Sequence, residues 1–257
     1  MILLAIDTSA IASAALIRSH AAEPGAAGAS GASGASGSAG APGAPDASGA
    51  AVLAAFATED TRSHAEVLAP GIQALLAEQG IGPGGIDRIV VGVGPGPFTG
   101  LRSGIVTARA LAFAWGVPLD GLMSLDALAW DVVSAETPQP SAHPAPEFVA
   151  AIDARRKELY WARYTSDATL LDGPHVTRPV DLPGLPVYGA GAGLYPEQLA
   201  DAGATVAEGF ETAQPTAASL GLAAAARLAA GGTLLDTTPL YLRESDAQVP
   251  GPRKKAL

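Results

Sequence analysis

The sequence predicts an α/β fold made of two related halves. Short apolar segments with strand character alternate along the chain with longer segments whose apolar residues recur at helical spacing. In addition, Ala5-Ile6-Asp7-Thr8 near the start is echoed by Ala151-Ile152-Asp153-Ala154 past the middle of the chain. In both copies an apolar strand ends at an aspartate and leads through a turn into a second strand. A match this short also arises by chance, and chance stays an open alternative.

Composition narrows the range of functions. The 257 residues suffice for one large or two small domains. The absence of cysteine excludes disulfides, thiolate catalysis and Cys-ligated metal sites. A formal net charge of −10 argues against a protein that binds nucleic acid without a partner. The sequence shows no basic leader and no long apolar run, which predicts a cytoplasmic protein without membrane contact.

The first half is predicted over residues 1–117. Between its second and third strands lies a stretch of Gly, Ala, Ser and Pro, residues 21–51, which has no large apolar side chain. Such a segment cannot bury enough surface to order itself, so we predict a disordered insertion. The three predicted strands lie at 2–6, 13–17 and 52–58.

Two helices complete this half. The first is predicted at 63–79, because Ser63 and Glu66 have capping-box spacing and four apolar residues share one face. The second, at 101–115, follows a buried strand at 86–93 and is apolar on two faces. Such a helix is either buried or covered by another subunit. The face of the first helix holds Leu68, Ile72, Leu75 and Leu76; those of the second hold Leu101, Ile105, Ala108 and Ala112, and Val106, Ala110 and Phe113.

The second half is predicted over residues 118–245, followed by a flexible tail at 246–257. Its elements are a helix at 124–133, a Pro-rich linker at 137–146, strands at 158–164 and 186–188, a Gly-rich turn at 189–193 and a helix at 216–230.

A candidate phosphate pocket lies where the strands end. Asp7, Thr8 and Ser9 follow the first strand, at the sheet edge where α/β proteins commonly place ligand groups. Asp153 ends the echoed strand. The alternative is that these side chains only satisfy turn hydrogen bonds. Arg155 and Arg156, which follow Asp153 closely in sequence, either bind an anion or form an exposed charge cluster.

A Gly-Pro-rich loop joins the fourth predicted strand to the second helix. It contains Gly94, Gly96 and Gly100, with Thr99 as the predicted N-cap of the helix. No Gly-Lys-Ser/Thr follows, so it is not a Walker loop. It is either a phosphate cradle or a rigid scaffold for the helix.

The sequence lacks the combinations of residues that form common catalytic and metal sites. His64 has no second histidine four residues later, so no two-His helical metal site exists. No Gly-x-Ser-x-Gly elbow occurs. We therefore predict no catalytic residue and no metal ligand.

Three motifs together resemble the bacterial TsaB (YeaZ) family: Ile2 to Ser9, Ser63 to Pro70, and the glycine-rich segment Gly94 to Gly104. The resemblance implies an actin-like ATPase (ASKHA) fold of two duplicated ribonuclease-H-like halves with mixed sheets. It implies a non-catalytic dimerisation subunit of the machinery that makes threonylcarbamoyladenosine (t6A37) in tRNA. Asp7, Thr8, Ser9, Gly94, Gly96, Thr99, Gly100 and Asp153 would then form a vestigial nucleotide pocket.

The resemblance also implies partners. The chain would bind and activate the catalytic subunit TsaD, with TsaE joining them, and would form a homodimer when alone. It would meet tRNA only through the complex and hold no cofactor of its own, with ATP or ADP only at the boundary with partner subunits. The alternative is an active nucleotide-dependent kinase or ATPase that uses Asp7 and Asp153. The implied partner interface contains His64, Glu66, Leu68, Ile72, Leu101, Arg102, Ile105 and Arg109.

Overall fold

A computed structural model describes residues 1–19, 49–58, 64–134 and 146–243. Nearly all of the predicted insertion at 21–51 therefore lies outside the described residues, as do the 246–257 tail and most of the 137–146 linker. The insertion ends earlier than predicted, because Ala51 already belongs to the third strand.

The first half contains a five-stranded mixed sheet in the order β3-β2-β1-β4-β5. The first three strands are antiparallel, whereas β4 and β5 run parallel to β1. Two helices, α1 and α2, pack on this sheet. The bounds are β1 Ile2–Asp7, β2 Ser13–Arg18, β3 Ala51–Ala57, α1 His64–Glu78, β4 Arg88–Gly92, α2 Phe98–Trp115 and β5 Leu119–Leu122.

The second half repeats this topology. Its sheet has the order β10-β9-β6-β7-β8, in which β6 takes the place of β1 and pairs antiparallel with β7 and parallel with β9. The shared strand order confirms two duplicated halves. The bounds are α3 Ser124–Ser134, β6 Glu147–Asp153, β7 Leu159–Thr165, β8 Leu170–Thr177, β9 Pro186–Tyr188, α4 Ala190–Leu194, α5 Pro196–Asp201, β10 Thr205–Val206 and α6 Ala217–Ala229.

Two helices are exchanged between the halves. Helix α3 follows the first sheet in sequence but packs on β6 and β7 of the second. Helix α6 follows the second sheet but packs on β1 and β2 of the first, and the two helices contact each other. The first sheet thus extends past the predicted boundary at residue 117 to include β5, and residues 217–229 return to it. No single boundary in the sequence therefore divides the chain into its two structural halves.

The helix ends differ from the predictions in two places. Helix α2 begins at Phe98 with Pro97 as its N-cap, so Thr99 lies in the first turn and is not the cap. The prolines before Phe98 fix an extended backbone that leads directly into the helix. Most of the predicted Gly-rich turn at 189–193 belongs to the short helix α4. Across the described ranges, no helix combines the length and apolar character needed to cross a membrane.

Candidate functional site: the cleft between the halves and the outer face of the first helices

A cleft of about 630 Å³ opens between the two halves. Four of the predicted pocket residues lie on its wall: Ser9, Thr99, Gly100 and Asp153. The rest of the lining comes from the β1–β2 turn, the residue before α2, the turn after β6, helix α4 and the segment before α6. The remaining lining residues are Ala10, Pro97, Arg155, Ala190, Gly193, Leu194, Glu211, Thr212 and Gln214.

Asp7 does not line this cleft, although it ends β1 as predicted. Its side chain is fully buried. One carboxylate oxygen accepts hydrogen bonds from the backbone N–H of Ser9 at 2.8 Å and from its hydroxyl at 2.6 Å. The other accepts from the hydroxyl of Ser124, the first residue of α3, at 2.6 Å. Burial raises the pKa of Asp7, and the hydrogen bonds from Ser124 and Ser9 lower it in part.

Asp7 therefore links the end of β1 to the start of α3 and presents neither oxygen to the cleft. An aspartate that orients metal-bound water or a phosphate group needs a free, hydrated oxygen. The hydrogen-bonding role, left open by the sequence, is the one that Asp7 fulfils.

The glycine-rich loop packs against the β1–β2 turn. A Cβ atom on Gly96 would lie 2.6 Å from the carbonyl oxygen of Ser9, and one on Gly104 would collide with the side chain of Thr8. The hydroxyl of Thr8 is buried and donates to the carbonyl of Gly100 at 2.7 Å. These contacts favour the scaffold role of the loop over the phosphate cradle. Gly94 takes a positive φ of 101°, which favours glycine at the sharp turn after β4.

Asp153, the counterpart of Asp7, sits in a different environment. Its carboxylate accepts from the backbone N–H of Arg155 at 2.8 Å and pairs with the Arg155 guanidinium at 3.1 Å. The turn that follows, residues 154–158, is called the basic turn below. Its three central residues, Arg155, Arg156 and Lys157, all have left-handed backbone conformations, with φ of 63°, 54° and 61°. A non-glycine residue in this region costs on the order of 1 kcal/mol.

These residues do not fit a magnesium–phosphate group. Asp7 is buried and accepts hydrogen bonds from three donors, and Asp153 is paired with a cation. Within the described ranges, no group of three or more His, Asp or Glu side chains is placed to hold a metal ion. The two strand-end carboxylates are therefore engaged with the protein itself.

The predicted partner interface divides into buried and exposed residues. Leu68, Ile72, Leu101 and Ile105 are buried in the core between α1, α2 and the first sheet. They face the chain's own sheet because their spacing places them on the inner faces of both helices. Leu68, Leu101 and Ile105 are therefore removed from the predicted surface, whereas Ile72, although buried, also lines the groove between α1 and α2 described below. Glu66 is exposed, and the side chain of His64 lies outside the described part of the chain.

The two predicted interface arginines contact the chain's own C-terminal residues. Residues 235–243, the C-terminal strap, run from β5 across the N-terminal part of α2 to the basic turn. Arg109 donates to the carbonyl and hydroxyl of Thr237, each at 2.9 Å. Arg102 donates to the hydroxyl of Tyr241 at 3.0 Å, and its guanidinium lies 5.4 Å from the ring centre of Phe98.

The outer face of α2 leaves large apolar side chains in solvent. Phe113 is 92% exposed and Val106 is 63% exposed. They share one stripe of the helix with Arg102 and Arg109, at spacings of three and four residues. On the other flank of α2, an apolar groove of about 390 Å³ separates it from α1. The groove is lined by Ala69, Ile72, Gln73, Leu76, Ile81, Pro83, Leu111 and Trp115.

One polar cluster was not predicted from the sequence. Asp126 in α3 is buried, accepts from the Tyr164 hydroxyl at 2.8 Å and pairs with Arg227 of α6 at 3.1 Å. Burial raises the pKa of Asp126, and the charge of Arg227 lowers it in part. An aspartate inside the apolar run of α3 was the available signal, since buried carboxylates require partners.

Comparisons with known proteins agree with this architecture. Residues 52–247 match the family model described as TsaD: tRNA N6-adenosine threonylcarbamoyltransferase. The Mycobacterium tuberculosis protein Rv3421c is 38% identical over 198 residues, covering 77% of this chain and 83% of that protein. The Haemophilus influenzae tRNA threonylcarbamoyladenosine biosynthesis protein TsaB is 34% identical over 111 residues, 43% of this chain and 44% of that protein.

A solved structure extends the likeness to almost the whole chain. YeaZ from Pseudomonas aeruginosa superposes with a TM-score of 0.64 at 27% identity, covering 94% of this chain and 99% of that one. Together with the duplicated sheets, this confirms the actin-like fold. The chain belongs to the TsaD family, and within it is a TsaB-like (YeaZ) protein of tRNA threonylcarbamoyladenosine biosynthesis.

Proposed function

We propose that this chain is the non-catalytic subunit that binds and activates the catalytic subunit TsaD in the synthesis of threonylcarbamoyladenosine in tRNA. The observation that carries this proposal is the outer face of α2, where Phe113 is 92% exposed on a helix whose opposite face is buried. An isolated protein gains nothing from an exposed phenylalanine, and exposed apolar clusters mark interaction sites.

The docking surface consists of the Val106–Phe113 stripe and the apolar groove between α1 and α2. Aromatic side chains are frequent hot spots when a partner desolvates them. Binding would activate TsaD if the surface fits the competent conformation better than the resting one. When no TsaD is present, the same surface would pair two copies of this chain, and TsaE would join the complex with ATP or ADP at a subunit boundary.

The absence of catalysis in this subunit is part of the proposal. Its support is the state of the two strand-end aspartates, since Asp7 is buried with three hydrogen-bond donors and Asp153 is paired with Arg155. The alternative, a nucleotide-dependent kinase or ATPase, requires a free carboxylate at one of these positions.

The docking test uses two helix-surface substitutions and one matched control. Phe113→Glu and Val106→Glu place a charge in the proposed interface and leave the core untouched. Each should weaken binding to purified TsaD by 2 kcal/mol or more, about a 30-fold loss of affinity. Leu171→Glu in β8 replaces a 43% exposed leucine of the second half and should bind as wild type.

Two outcomes would contradict the proposal. The first is equal binding of TsaD by wild type and both α2 variants. The second is phosphate release from Mg-ATP by the isolated chain, which would favour the kinase or ATPase. Substitutions of Leu101 or Ile105 are unsuitable for this test, because both side chains are core residues.

A further inference from the structure

We propose that the C-terminal strap is a clasp that sets how far the cleft between the two halves can open. The cleft has one wall in each half, and its volume of about 630 Å³ is within the range of small-molecule sites. The strap contacts both halves, and its last three described residues attach it next to both walls. A clasp of this kind acts in the isolated chain and does not depend on a partner subunit.

The strap is attached to the first wall of the cleft through Tyr241. The centre of its ring lies 4.4 Å from that of Phe98, and its hydroxyl accepts a hydrogen bond from Arg102 at 3.0 Å. Phe98 lies between Pro97 and Thr99 in sequence, and both of these neighbours line the cleft. The strap therefore contacts α2 at the point where the helix forms the cleft wall.

Arg243 attaches the strap to the opposite wall. Its guanidinium donates to the carbonyl of Ala154 at 2.8 Å and pairs with the carboxylate of Glu158. Ala154 lies between Asp153 and Arg155 in sequence, and both of these neighbours line the cleft. The second attachment is thus made to the backbone of the segment that forms the second wall.

The two attachments are separated by a single residue, Leu242. Two residue steps of extended chain span at most about 7 Å between Cα atoms, so this link has little length to spare. Leu240, immediately before Tyr241, packs on the apolar cores of both halves, and Leu242 packs on that of the second half. The two walls therefore cannot move far apart unless a contact of Tyr241 or of Arg243 breaks.

The contacts of the clasp are of a kind that can open while each half stays folded. Tyr241 is 37% exposed, and the side chains of the Arg243–Glu158 pair are also partly exposed. Solvated hydrogen bonds and ion pairs contribute little to global stability. The halves are joined separately by the exchanged helices α3 and α6, which contact each other. The alternative is a strap that only stabilises the fold and does not control the cleft.

The experiment measures the distance between the two halves in the purified chain by pulsed electron spin resonance. Because the sequence has no cysteine, Ala57→Cys with Glu197→Cys provides two unique sites for spin labels, one in each half. Both side chains are exposed, and neither lines the cleft. In this background, Tyr241→Ala with Arg243→Met should lengthen the mean distance between the labels by more than about 2 Å and broaden its distribution.

Two control variants should keep the wild-type distance. Tyr241→Phe retains the ring on Phe98 and loses only the hydroxyl that accepts from Arg102. Arg178→Met matches Arg243→Met but removes an exposed ion pair with Asp181 that lies outside the strap. Amide hydrogen exchange in the central strands β1 and β6 should stay slow in every variant, because opening the clasp leaves both sheets intact.

A wild-type distance distribution in the double variant would overturn the clasp. Faster exchange throughout β1 and β6 would overturn it as well, because the strap would then be part of the two cores and not a link between them. If the double variant does not fold, Tyr241→Ala alone decides the question: a longer distance supports the clasp, and an unchanged distance overturns it. Failure of the chain to bind TsaD would contradict the proposed function and leave the clasp unaffected.

Discussion

In both halves of this protein the first strand ends at an aspartate, but the two aspartates have different environments. Asp7 and Asp153 both close the first strand of a sheet with the order 3-2-1-4-5, counted within each half. Asp7 is fully buried and held by two serines, whereas Asp153 lies at the cleft and pairs with Arg155. The difference arises from neighbouring elements, because Ser124 of α3 closes over Asp7. Duplication preserves the position of a side chain but does not preserve its chemistry.

The largest expected effect tests this difference directly. Asp7→Ala leaves the N–H and hydroxyl of Ser9 and the hydroxyl of Ser124 without their acceptor in a dry site. Each buried orphaned group costs about 1–3 kcal/mol, so we expect a loss of roughly 3–5 kcal/mol in urea unfolding. The matched change Asp153→Ala removes a half-exposed pair and should cost about 1 kcal/mol or less. Equal losses of unfolding free energy in the two variants would contradict the proposed difference between Asp7 and Asp153.

The second prediction concerns the exchanged helices that join the halves. Arg227→Met removes the cation that pairs with buried Asp126 and leaves that carboxylate with only the Tyr164 hydroxyl. Removing one partner of a buried pair costs about 3–5 kcal/mol, and the partial exposure of Arg227 places this case near 3 kcal/mol. In guanidinium chloride, the free energy of unfolding of Arg227→Met should be lower than that of the control Arg178→Met by this amount. Coincident unfolding curves would show that the Asp126–Arg227 pair contributes little to stability.

Local apolar spacing predicted the strands β1 to β4, β6, β7 and β9 and the four long helices, but the strands β5, β8 and β10 were missed. The duplication was predicted from the repeated Ala-Ile-Asp motif, with chance left as an alternative. The spacing placed Leu68, Ile72, Leu101 and Ile105 on shared faces correctly, but could not say which face meets the sheet. Spacing defines faces relative to the helix axis, and only packing decides which one is buried. The sequence also did not predict that α3 packs on the second sheet and α6 on the first. The order of elements along the chain does not determine which sheet a helix covers.

Some residues of the cleft wall were predicted from the sequence, and others were not, because part of the arrangement depends on contacts between distant segments. Ser9, Thr99, Gly100 and Asp153 do meet at the cleft, because strand ends and helix starts of α/β folds converge. The burial of Asp7 depends on Ser124, which lies far along the chain and has no local signal. The engagement of Arg102 and Arg109 depends on the C-terminal strap, a segment without regular structure.

A third prediction uses pH to probe the contact between α3 and α6. Burial raises the pKa of Asp131 to about 6, and a hydrogen bond with Ser219 offsets part of this. A carboxyl group with a raised folded-state pKa favours folding while it is protonated. Its contribution is fully present below pH 3.8 and is lost as pH rises through about 6.

Asp131→Asn should therefore raise the free energy of unfolding at pH 7.5 by about 1–3 kcal/mol and leave it nearly unchanged near pH 4. Urea midpoints at the two pH values provide the measurement. The control Asp201→Asn, at an exposed position of α5, should show no such pH-dependent gain. A gain of the same size at pH 4 would refute the assignment to Asp131.

The smallest expected effect concerns the strap, which contacts both halves. Arg109 holds it at α2 through Thr237, and Arg243 holds it at the basic turn through the carbonyl of Ala154. Between them, the N–H of Leu240 donates to the carbonyl of Val93 at 2.8 Å. Arg109→Ala removes exposed hydrogen bonds and should lower global stability by only about 0.5–1 kcal/mol.

Its local effect should be larger, because regions with few buried contacts open independently of global unfolding. We expect faster amide hydrogen exchange at Leu240 in Arg109→Ala, with exchange at the central strand β1 unchanged. Arg18→Ala, which removes an exposed cation at the end of β2, is the control. Unchanged exchange at Leu240 would mean that Arg109 contributes little to holding the strap, and that the contacts of Leu235, Leu240 and Tyr241 hold it on the first half instead.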